Sequence, residues 1–380
     1  MSHQKHTKLE RPDFGQFGRH EWTIIGAPCG DIQVLAQSLI EDLQADYEVA
    51  YVDADHKSAD APAENLHGGA SMVYTDKITH HQLAWTGASA AFQYRALFHA
   101  QDLILVNGNH FEAARQIVII DARKAQSLEK KLDRLSHVQL FLLAAGETEI
   151  HPFLKAHLPH WQQIPVLQIT DTKAIAAFLR QQMSSPPLYG LVLAGGRSLR
   201  MGQDKGLINY HGKPQREYAA DLLSAVCEKT FLSCRPEQAA TMDSTYPTLP
   251  DTFADLGPYG AILSAFREHP NAAWLVIACD LPLLDASTLQ QLVQARQPSK
   301  IATAFKSPAQ DGMPEPLIAI WEPKSYMVLL QFLAQGYSCP RKVLLNSDVH
   351  LIEPAKQEAL TNVNSPEEAA ALRQAALKTS

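Results

Sequence analysis

The sequence has no block of basic residues, and it carries a net charge of −7 at pH 7. Nucleic acids and anionic membrane surfaces are bound through a cationic footprint, so neither is favoured as a partner. No run approaches the ~18 consecutive apolar residues that a membrane-spanning helix needs. The first residues contain no apolar h-region, so no secretory signal is predicted. Phosphate ligands stay open, because a few local donors are enough to hold them.

Cysteine is scarce, and its spacing argues against two structural roles. The five cysteines are an odd number, and no two of them stand in CxxC spacing. They indicate reduced thiols rather than a disulfide framework or a zinc site, and we therefore expect a cytoplasmic protein. The cysteines are Cys29, Cys227, Cys234, Cys279 and Cys339.

The length of 380 residues suggests two domains, at roughly 100–200 residues each. Hydrophobic residues make up 46% of the chain, which is enough for more than one core. Met183–Pro187 is the predicted linker, because its two prolines cannot continue the helical pattern that precedes them. We expect a polar tail at 1–20, a first domain at 21–184 and a second domain at 187–380.

Short apolar runs alternate with helix-like patterns through both halves. This alternation predicts an α/β fold with mainly parallel sheets, doubly wound in each domain. The predicted strands are Trp22–Ile25, Glu48–Val52, Leu103–Val106, Gln116–Ile120, Val138–Leu143, Val166–Ile169, Tyr189–Leu193, Thr230–Ser233, Trp274–Ala278, Ala302–Phe305, Leu317–Trp321 and Val349–Leu351. The predicted helices are Ile32–Ala45, Ala174–Met183, Gln215–Cys227, Tyr259–His269, Ser287–Ala295, Met327–Gln335, Arg341–Leu345 and Pro366–Ala376.

One short stretch combines a strand, glycines and cations. A buried-strand pattern runs into Gly195 and Gly196, and Arg197, Arg200 and Lys205 follow within nine residues. Glycines let the backbone turn tightly and bring its N–H groups close to a ligand. Arginine offers forked donors and lysine a mobile charge, and both suit a polyphosphate. We predict a nucleotide-phosphate loop here. The alternative is a solvated basic turn.

A carboxylate follows a second apolar strand. Asp280 comes directly after the run Leu275–Cys279. In open α/β sheets, ligands bind outside the carboxyl ends of the strands. A carboxylate at that place can hold Mg²⁺, which in turn bridges nucleotide phosphate oxygens. The alternative is that Asp280 caps the turn ahead of Pro282.

Two loops supply further polar candidates. Asp251 lies in a loop that leads into a predicted helix, where it can contact a nucleotide or an acceptor. Asn364 precedes the last predicted helix, and it or Ser365 can serve as the N-cap, with Pro366 at the first helical position. For Asn364 the capping role and the catalytic role both stay open.

The motifs of the second half resemble those of molybdenum cofactor guanylyltransferases and related nucleotidyltransferases. The resemblance covers about residues 187–375 and rests on LAGGRSLRMGQDKG, LINYHGKP, LPDTFADLGPYGAILSAF, IACDLPLL and NVNSPEE, in that order. It implies a Rossmann-like nucleotidyltransferase domain with Mg²⁺ as its cofactor. The implied reaction joins GTP to the phosphate of molybdopterin and gives the guanine dinucleotide cofactor and pyrophosphate.

The resemblance also implies roles for individual residues. Asp280 matches the family's Mg²⁺ ligand, with Asn364 as a second candidate, and Lys205 matches its phosphate-binding lysine. Transfer between anionic partners needs charge neutralisation and positioning more than a protein nucleophile, so catalysis is assigned to Arg200, Lys205 and Asp280. The residues expected to contact the nucleotide are Leu193, Ala194, Gly195, Gly196, Arg197, Lys205, Asp251 and Asp280.

Two positions depart from the family pattern. Relatives often carry an asparagine in the segment that here reads Phe231–Arg235, and this substitution leaves both GTP and CTP open as the donor. Near the acceptor, relatives often place a histidine or glutamine before a proline, where this chain has Glu315. Cytidylyl transfer to molybdopterin and transfer to a sugar phosphate therefore stay open as alternatives.

The first half carries a loop where a P-loop would lie, between a strand and a helix. A working P-loop reads GxxxxGK[ST], but here three residues separate Gly26 from Gly30, and Asp31 and Ile32 take the Lys and Ser/Thr positions. Two charges ~4 Å apart interact by about 4 kcal/mol at an effective dielectric near 20, so a carboxylate at the lysine position opposes triphosphate binding.

This half resembles, more weakly, the GTP-binding adaptor protein of molybdopterin guanine dinucleotide synthesis, with Asn107 where that family usually has Glu. We expect a P-loop-like domain without GTPase activity, which docks onto the transferase domain, a dimer mate, a molybdoenzyme or its chaperone. A rival of another class is a non-catalytic scaffold for cofactor delivery, with both nucleotide folds silenced. The intact Lys205 and Asp280 argue against that rival.

Overall fold

The computed structural model describes residues 16–55, 69–87, 91–195 and 205–363, together with residue 368. The chain divides into two compact units, Met1–Ser184 and Ser185–Ser380. Among the helices in this described part, none is long and apolar enough to cross a membrane.

The first unit contains strands β1 to β8 and helices α1 to α5. Its strands are β1 (Glu21–Ile25), β2 (Val49–Val52), β3 (Met72–Asp76), β4 (His81–Trp85), β5 (Leu103–Asn107), β6 (Arg115–Ile120), β7 (Val138–Leu143) and β8 (Val166–Gln168). Its helices are α1 (Cys29–Leu43), α2 (Ala91–Leu97), α3 (Ala125–Glu129), α4 (Pro152–His157) and α5 (Thr172–Gln182).

Six of these strands form one parallel sheet in the order β2-β5-β1-β6-β7-β8. Every residue of β1 and β5 is buried, as expected for a parallel sheet that is covered on both faces. On one face, Leu39 of α1 and Leu179 of α5 pack around Trp22. Phe141 and Leu154 pack on the other face. The strand order reverses beside β1, so the loop after β1 opens at the switch point of this sheet.

The second unit contains strands β9 to β15 and helices α6 to α10. Its strands are β9 (Leu188–Leu193), β10 (Lys229–Cys234), β11 (Thr248–Pro250), β12 (Ala273–Ala278), β13 (Ala302–Lys306), β14 (Pro314–Trp321) and β15 (Val349–Ile352). Its helices are α6 (Gln215–Ser224), α7 (Pro258–Glu268), α8 (Ala286–Gln294), α9 (Ser325–Ala334) and α10 (Pro340–Leu345).

Its sheet has the order β11-β10-β9-β12-β14-β13-β15, in which β14 runs antiparallel to both of its neighbours. Numbered from β9, the first four strands follow the order 3-2-1-4 of Rossmann-like sheets. Apolar residues of α6 and α8 cover one face, and those of α7, α9 and α10 cover the other. The strand order reverses between β9 and β12. This switch point is where the loop that begins at Ala194 leaves the sheet.

The predicted α/β class with mainly parallel, doubly wound sheets is confirmed. Each predicted strand overlaps an observed one, and β7 has the predicted bounds. The sequence patterns missed the antiparallel hairpin of β3 and β4, in which Met72 pairs with Trp85, and they also missed α2, α3, α4 and β11. Apart from residue 368, the predicted helix Pro366–Ala376 lies outside the described residues.

Candidate functional site

Two adjacent parallel strands deliver the main candidate residues of the second unit to one edge of its sheet. Leu193, the last residue of β9, is the register partner of Ala278, the last residue of β12. Gly195 and Asp280 each follow two residues later, so they leave the sheet side by side. The carboxyl ends of parallel strands at a switch point are where open α/β sheets bind ligands.

Lys205 and Asp280 form an ion pair at this edge. The Lys205 Nζ lies 3.1 Å from the Asp280 Oδ2, and each side chain is 19% exposed. Residues 75 positions apart in the sequence therefore meet in one partly shielded place, where charges interact more strongly than in bulk water. The structure brings together the two charged residues on which the sequence argument depended.

The second carboxylate oxygen of Asp280 is buried, and within the described residues its Oδ1 has no hydrogen-bond partner. A buried carboxylate oxygen without a donor is costly, and the remaining lone pairs can be satisfied by a cation. Mg²⁺ takes oxygen ligands and is typically held by one or two carboxylates together with phosphate oxygens and water. The donor set at Asp280 fits such an ion.

The segment after Asp280 is held by α6 and the loop before it. The Gln215 amide donates to the Leu281 carbonyl at 3.3 Å, and the Tyr218 hydroxyl donates to the Leu284 carbonyl at 3.3 Å. The His211 Nε2 lies 2.8 Å from the Pro282 carbonyl, and its ring stacks on Tyr218 with the ring centroids 3.7 Å apart.

These contacts fix the backbone that carries Asp280. No role was predicted for His211 or Gln215 from the sequence, although both belong to the segment that follows the expected phosphate loop. A signal was present in the sequence, since a polar side chain that is predicted to be buried needs a hydrogen-bond partner. Gln215 is 1% exposed.

Gly195 lies directly against the end of β10. A Cβ added at this residue would come within 3.1 Å of the Arg235 amide nitrogen and 3.2 Å of the Cys234 Cα. The preceding Ala194 N–H donates to the Ser233 carbonyl at 3.1 Å. The loop therefore leaves β9 in close contact with β10, and the absence of a side chain at Gly195 permits that approach.

Asp251 follows β11 and lies beside the end of β10. Its N–H donates to the Cys234 carbonyl at 2.8 Å, and its carboxylate accepts a hydrogen bond from the Ser233 hydroxyl at 2.9 Å. Burial raises the pKa of Asp251 to about 6, and the Ser233 hydrogen bond opposes that rise. The contribution of Ser233 was not predicted from the sequence.

Four predicted site residues, Gly196, Arg197, Arg200 and Asn364, lie outside the described residues. Of the predicted site residues that are described, Leu193, Ala194 and Gly195 lie at the end of β9, Asp251 at the end of β11, and Lys205 and Asp280 form the ion pair. Val363, the neighbour of Asn364 in the sequence, donates its N–H to the Asp280 carbonyl at 2.9 Å.

Glu315, where the chain departs from the family pattern, lies at the beginning of β14. The two Arg341 Nη2 contacts to its carboxylate oxygens are both 3.4 Å long, and the Arg341 Nε donates to the Pro314 carbonyl at 3.0 Å. The antiparallel register pairs Ile277 with Ile318, so this end of β14 lies at the edge where β12 ends. Glu315 is therefore a paired carboxylate at the same edge as Asp280.

The loop after β1 in the first unit has a glycine typical of a phosphate loop, but a carboxylate stands where such a loop has a lysine. Gly26 has φ +102°, and a Cβ at this residue would come within 2.2 Å of the Ile119 carbonyl oxygen. Asp31 binds the Arg123 guanidinium at 2.5 Å, and the same guanidinium also binds Asp121. A cation of the protein itself thus pairs with the carboxylate at the lysine position.

The sequence matches the MobA-like NTP transferase domain over residues 190–351, all of them in the second unit. The chain is 32% identical over 188 residues to a molybdenum cofactor guanylyltransferase of Pseudomonas putida, and the match covers 48% of this chain and 95% of that protein. It is 40% identical over 190 residues to a molybdenum cofactor biosynthesis bifunctional protein of Synechocystis.

The match to the Synechocystis protein covers 50% of this chain and 54% of the relative, so the chain spans about half the length of that protein. Among solved structures, a MobB protein homolog from Bacillus stearothermophilus matches with a TM-score of 0.31 and 17% identity. That match covers 43% of this chain and 97% of the homolog.

Proposed function

Because this chain belongs to the molybdenum cofactor guanylyltransferase family, we propose that its second unit transfers GMP from GTP to the phosphate of molybdopterin, with release of pyrophosphate. The observation that carries the proposal is the Lys205–Asp280 pair at the carboxyl ends of β9 and β12. Both substrates are anionic, so the reaction needs a cation and a metal-binding carboxylate in one place. This edge of the sheet supplies both.

In the proposed reaction, an oxygen of the molybdopterin phosphate attacks the α-phosphorus of GTP. A new P–O bond forms, the bond between the α-phosphorus and the bridging oxygen breaks, and pyrophosphate takes the electron pair. The chain supplies positioning and charge rather than a nucleophile. Lys205 neutralises phosphate charge at the loop, where it is already held beside Asp280.

Asp280 would hold Mg²⁺, which would supply charge neutralisation for the phosphates. The buried Oδ1 of Asp280 supports this assignment, because its lone pairs face no donor among the described residues. Lys205, which pairs with the Oδ2, supplies a second positive charge at the same place. We propose Asn364 as a second ligand on the strength of the Val363 contact to Asp280.

The nucleotide would lie across the ends of β9, β10 and β11. The backbone of Leu193, Ala194 and Gly195 would approach the ligand, with no side chain in the way at Gly195, and Asp251 places a carboxylate at the neighbouring strand end. A carboxylate there can accept hydrogen bonds from N–H donors of a bound nucleotide. The similarity to molybdenum cofactor guanylyltransferases supports GTP over CTP as the donor. We assign Gly196, Arg197 and Arg200 to the phosphates.

We propose that the first unit binds no triphosphate and serves as a docking domain for a molybdoenzyme or its chaperone. Asp31 places negative charge where a phosphate would lie, and Arg123 is engaged by two carboxylates. The hydroxyl that would help to hold Mg²⁺ in a P-loop is replaced by Ile32, which is fully buried.

The test is to incubate the protein with Mg²⁺, molybdopterin and each NTP in turn, and to measure pyrophosphate and the dinucleotide product. We expect product with GTP. The change Asp280→Asn keeps the shape of the side chain but removes its charge, and we expect a loss of turnover of at least about a hundredfold. A matched control is Asp348→Asn, since Asp348 is 63% exposed and pairs with Lys300 outside the site.

The outcomes separate the alternatives. Product with CTP but not GTP would support cytidylyl transfer, and no product with any NTP would support the non-catalytic scaffold. If Asp280→Asn retained the turnover of Asp348→Asn, the metal assignment would be wrong even if the transfer itself were confirmed.

A further inference from the structure

Cys29 is the first residue of α1, at the carboxyl edge of the first sheet. Its Sγ lies 3.3 Å from the His110 Nε2 and accepts a hydrogen bond from the Asn109 side-chain amide at 3.4 Å. The thiol is partly exposed, and the His110 side chain is 15% exposed. A nucleophilic atom and a base therefore meet within contact distance, at the place where a parallel sheet binds ligands.

A hydrogen-bonded frame holds this pair in place. The Asn109 side-chain amide also donates to the Ala27 backbone carbonyl at 3.0 Å, and the Asn109 backbone N–H donates to the Asn107 side-chain Oδ1 at 3.0 Å. Asn107 is fully buried, and its amide donates to Asp53 at 2.9 Å. Asp53 in turn lies 3.9 Å from the His110 Nε2, so a carboxylate stands beside the imidazole at this edge.

The beginning of α1 adds to the effect of His110. The first N–H groups of a helix have no acceptor within the helix, and together with the macrodipole they stabilise an anion at this end. Cys29 has this position in a helix of 15 residues. A cysteine at a helix N-terminus beside a histidine that can accept its proton is an environment in which a thiol reacts as a nucleophile.

Two other cysteines have the opposite environment. Burial raises the pKa of the Cys227 thiol to about 12 and also raises the pKa of the Cys234 thiol. Both therefore stay protonated and unreactive at neutral pH. Cys339 is exposed and precedes α10, so it provides an accessible thiol at a helix start for comparison.

We propose that Cys29 is a reactive thiol that small hydroperoxides oxidise to a sulfenic acid. His110 takes the thiol proton, and the thiolate sulfur attacks the nearer peroxide oxygen. An S–O bond forms as the O–O bond breaks, and the leaving oxygen accepts the proton from His110 and departs as water or an alcohol. The sulfur loses two electrons and the peroxide gains them. A reactive thiol therefore lies at the edge of the first sheet where a P-loop would bind phosphates.

The experiment exposes the full chain to hydrogen peroxide at pH 7 and follows each cysteine by a sulfenic-acid-specific label and peptide mass spectrometry. We expect Cys29 to be labelled at least about tenfold faster than Cys339. The change His110→Gln retains polarity but removes the base, and it should slow labelling of Cys29 by about tenfold or more. Labelling of Cys339 in the same sample should not change.

Equal rates at Cys29 and Cys339 in the unmodified protein would overturn the proposal without any variant. An unchanged Cys29 rate in His110→Gln would also overturn it, because the thiol would then be reactive without its base. If His110→Gln unfolds the first unit, Cys29 becomes fully accessible and circular dichroism reveals the loss of structure. The comparison within the unmodified chain then decides alone.

Discussion

At the scale of single residues, Asp251 combines a cost in stability with a position in the candidate site. Its pKa is raised from 3.8 to about 6 by burial, so the folded protein binds this proton more tightly than the unfolded chain does. The contribution of Asp251 to stability therefore falls as the pH rises from about 4 through about 6, and the cost is complete above that range. A carboxylate that is retained at such a cost is expected to serve the ligand.

We predict that Asp251→Asn stabilises the second unit at pH 7.5 and abolishes tight nucleotide binding. The shift corresponds to at most about 3 kcal/mol, and the amide oxygen can still accept from Ser233, so a gain of about 1–3 kcal/mol is expected. The gain should disappear near pH 4, where the carboxyl group of the parent protein is neutral. Urea unfolding across this pH range measures it.

The exposed Asp348 provides the control, since Asp348→Asn should leave the pH dependence of stability nearly unchanged. A variant Asp251→Asn that is no more stable than the parent at pH 7.5 would show that the ionised carboxylate carries no burial cost. Nucleotide binding at full strength by that variant would remove Asp251 from the site.

The candidate residues that could be picked out from the sequence have an unusual context. Asp280 is a charge directly after an apolar strand, and Lys205 follows a strand and a glycine pair in a segment rich in cations. The structure brings these two side chains together. Ser233 and Gln215 were not recognisable, because each acts through one hydrogen bond whose partner is distant in the sequence. Only tertiary packing reveals such partners.

At the scale of elements, a buried ion pair at Glu322, the residue after β14, contributes to the stability of the second unit. Glu322 is fully buried, and its two carboxylate oxygens accept from the Arg296 guanidinium at 2.7 and 3.0 Å. Arg296 also donates to the Pro186 carbonyl at 2.9 Å. One side chain therefore connects the segment before β9 with the residue that follows β14. A buried pair with these additional hydrogen bonds is strongly destabilised when one partner is removed.

We predict that Arg296→Ala destabilises the second unit by about 3–5 kcal/mol, because it leaves the Glu322 charge buried and unpaired. The matched control is Lys300→Ala, which breaks an exposed ion pair with Asp348 and should cost less than about 1 kcal/mol. Chemical denaturation of both variants measures the difference. Similar losses in the two variants would contradict the argument from burial.

The hairpin of β3 and β4 shows why an element can leave no signal in the sequence. In β3, Met72, Tyr74 and Asp76 are exposed while the residues between them are only partly buried, so no face shows a clean apolar stripe. Hydrophobic periodicity reports burial, and a hairpin that buries little gives no periodic signal. Strands such as β1, β5 and β12 are buried along their whole length, and their continuous apolar runs made them visible in the sequence. The three-residue β11 is too short to give such a run.

At the scale of the whole molecule, the chain carries two nucleotide-type folds with different charges at corresponding loops. The second unit has Lys205 and Asp280 at its switch point, and the first has Asp31 bound to Arg123. We therefore expect phosphates to bind at the second loop and not at the first.

We predict that residues 185–380 alone catalyse the transfer with a kcat/KM within about threefold of the full chain. The match to the NTP transferase domain lies entirely within this unit, and the Pseudomonas putida guanylyltransferase aligns over 95% of its length. Steady-state kinetics on the two proteins test this prediction. A loss greater than about tenfold would mean that the first unit contributes to the reaction.

We predict in addition that residues 1–184 neither bind nor hydrolyse GTP. Asp31→Lys should not restore hydrolysis, because the shortened spacing between Gly26 and Gly30 and the buried Ile32 remain. Equilibrium binding and phosphate release measure the two activities. GTP hydrolysis by the parent fragment, at a rate that changes when Asp31 is mutated, would contradict the prediction.

The ion pair between Asp31 and Arg123 affects the number of GTP molecules that the full chain is expected to bind. A protein with two phosphate-loop positions would ordinarily saturate in two steps, and the weaker step would distort any kinetic constant that is read from the curve. Because Asp31 in the first loop is paired with Arg123 of the same chain, this loop should bind no nucleotide. One equivalent of nucleotide per chain should then complete the titration. A calorimetric stoichiometry of one would then mean that every bound nucleotide is at the transferring site.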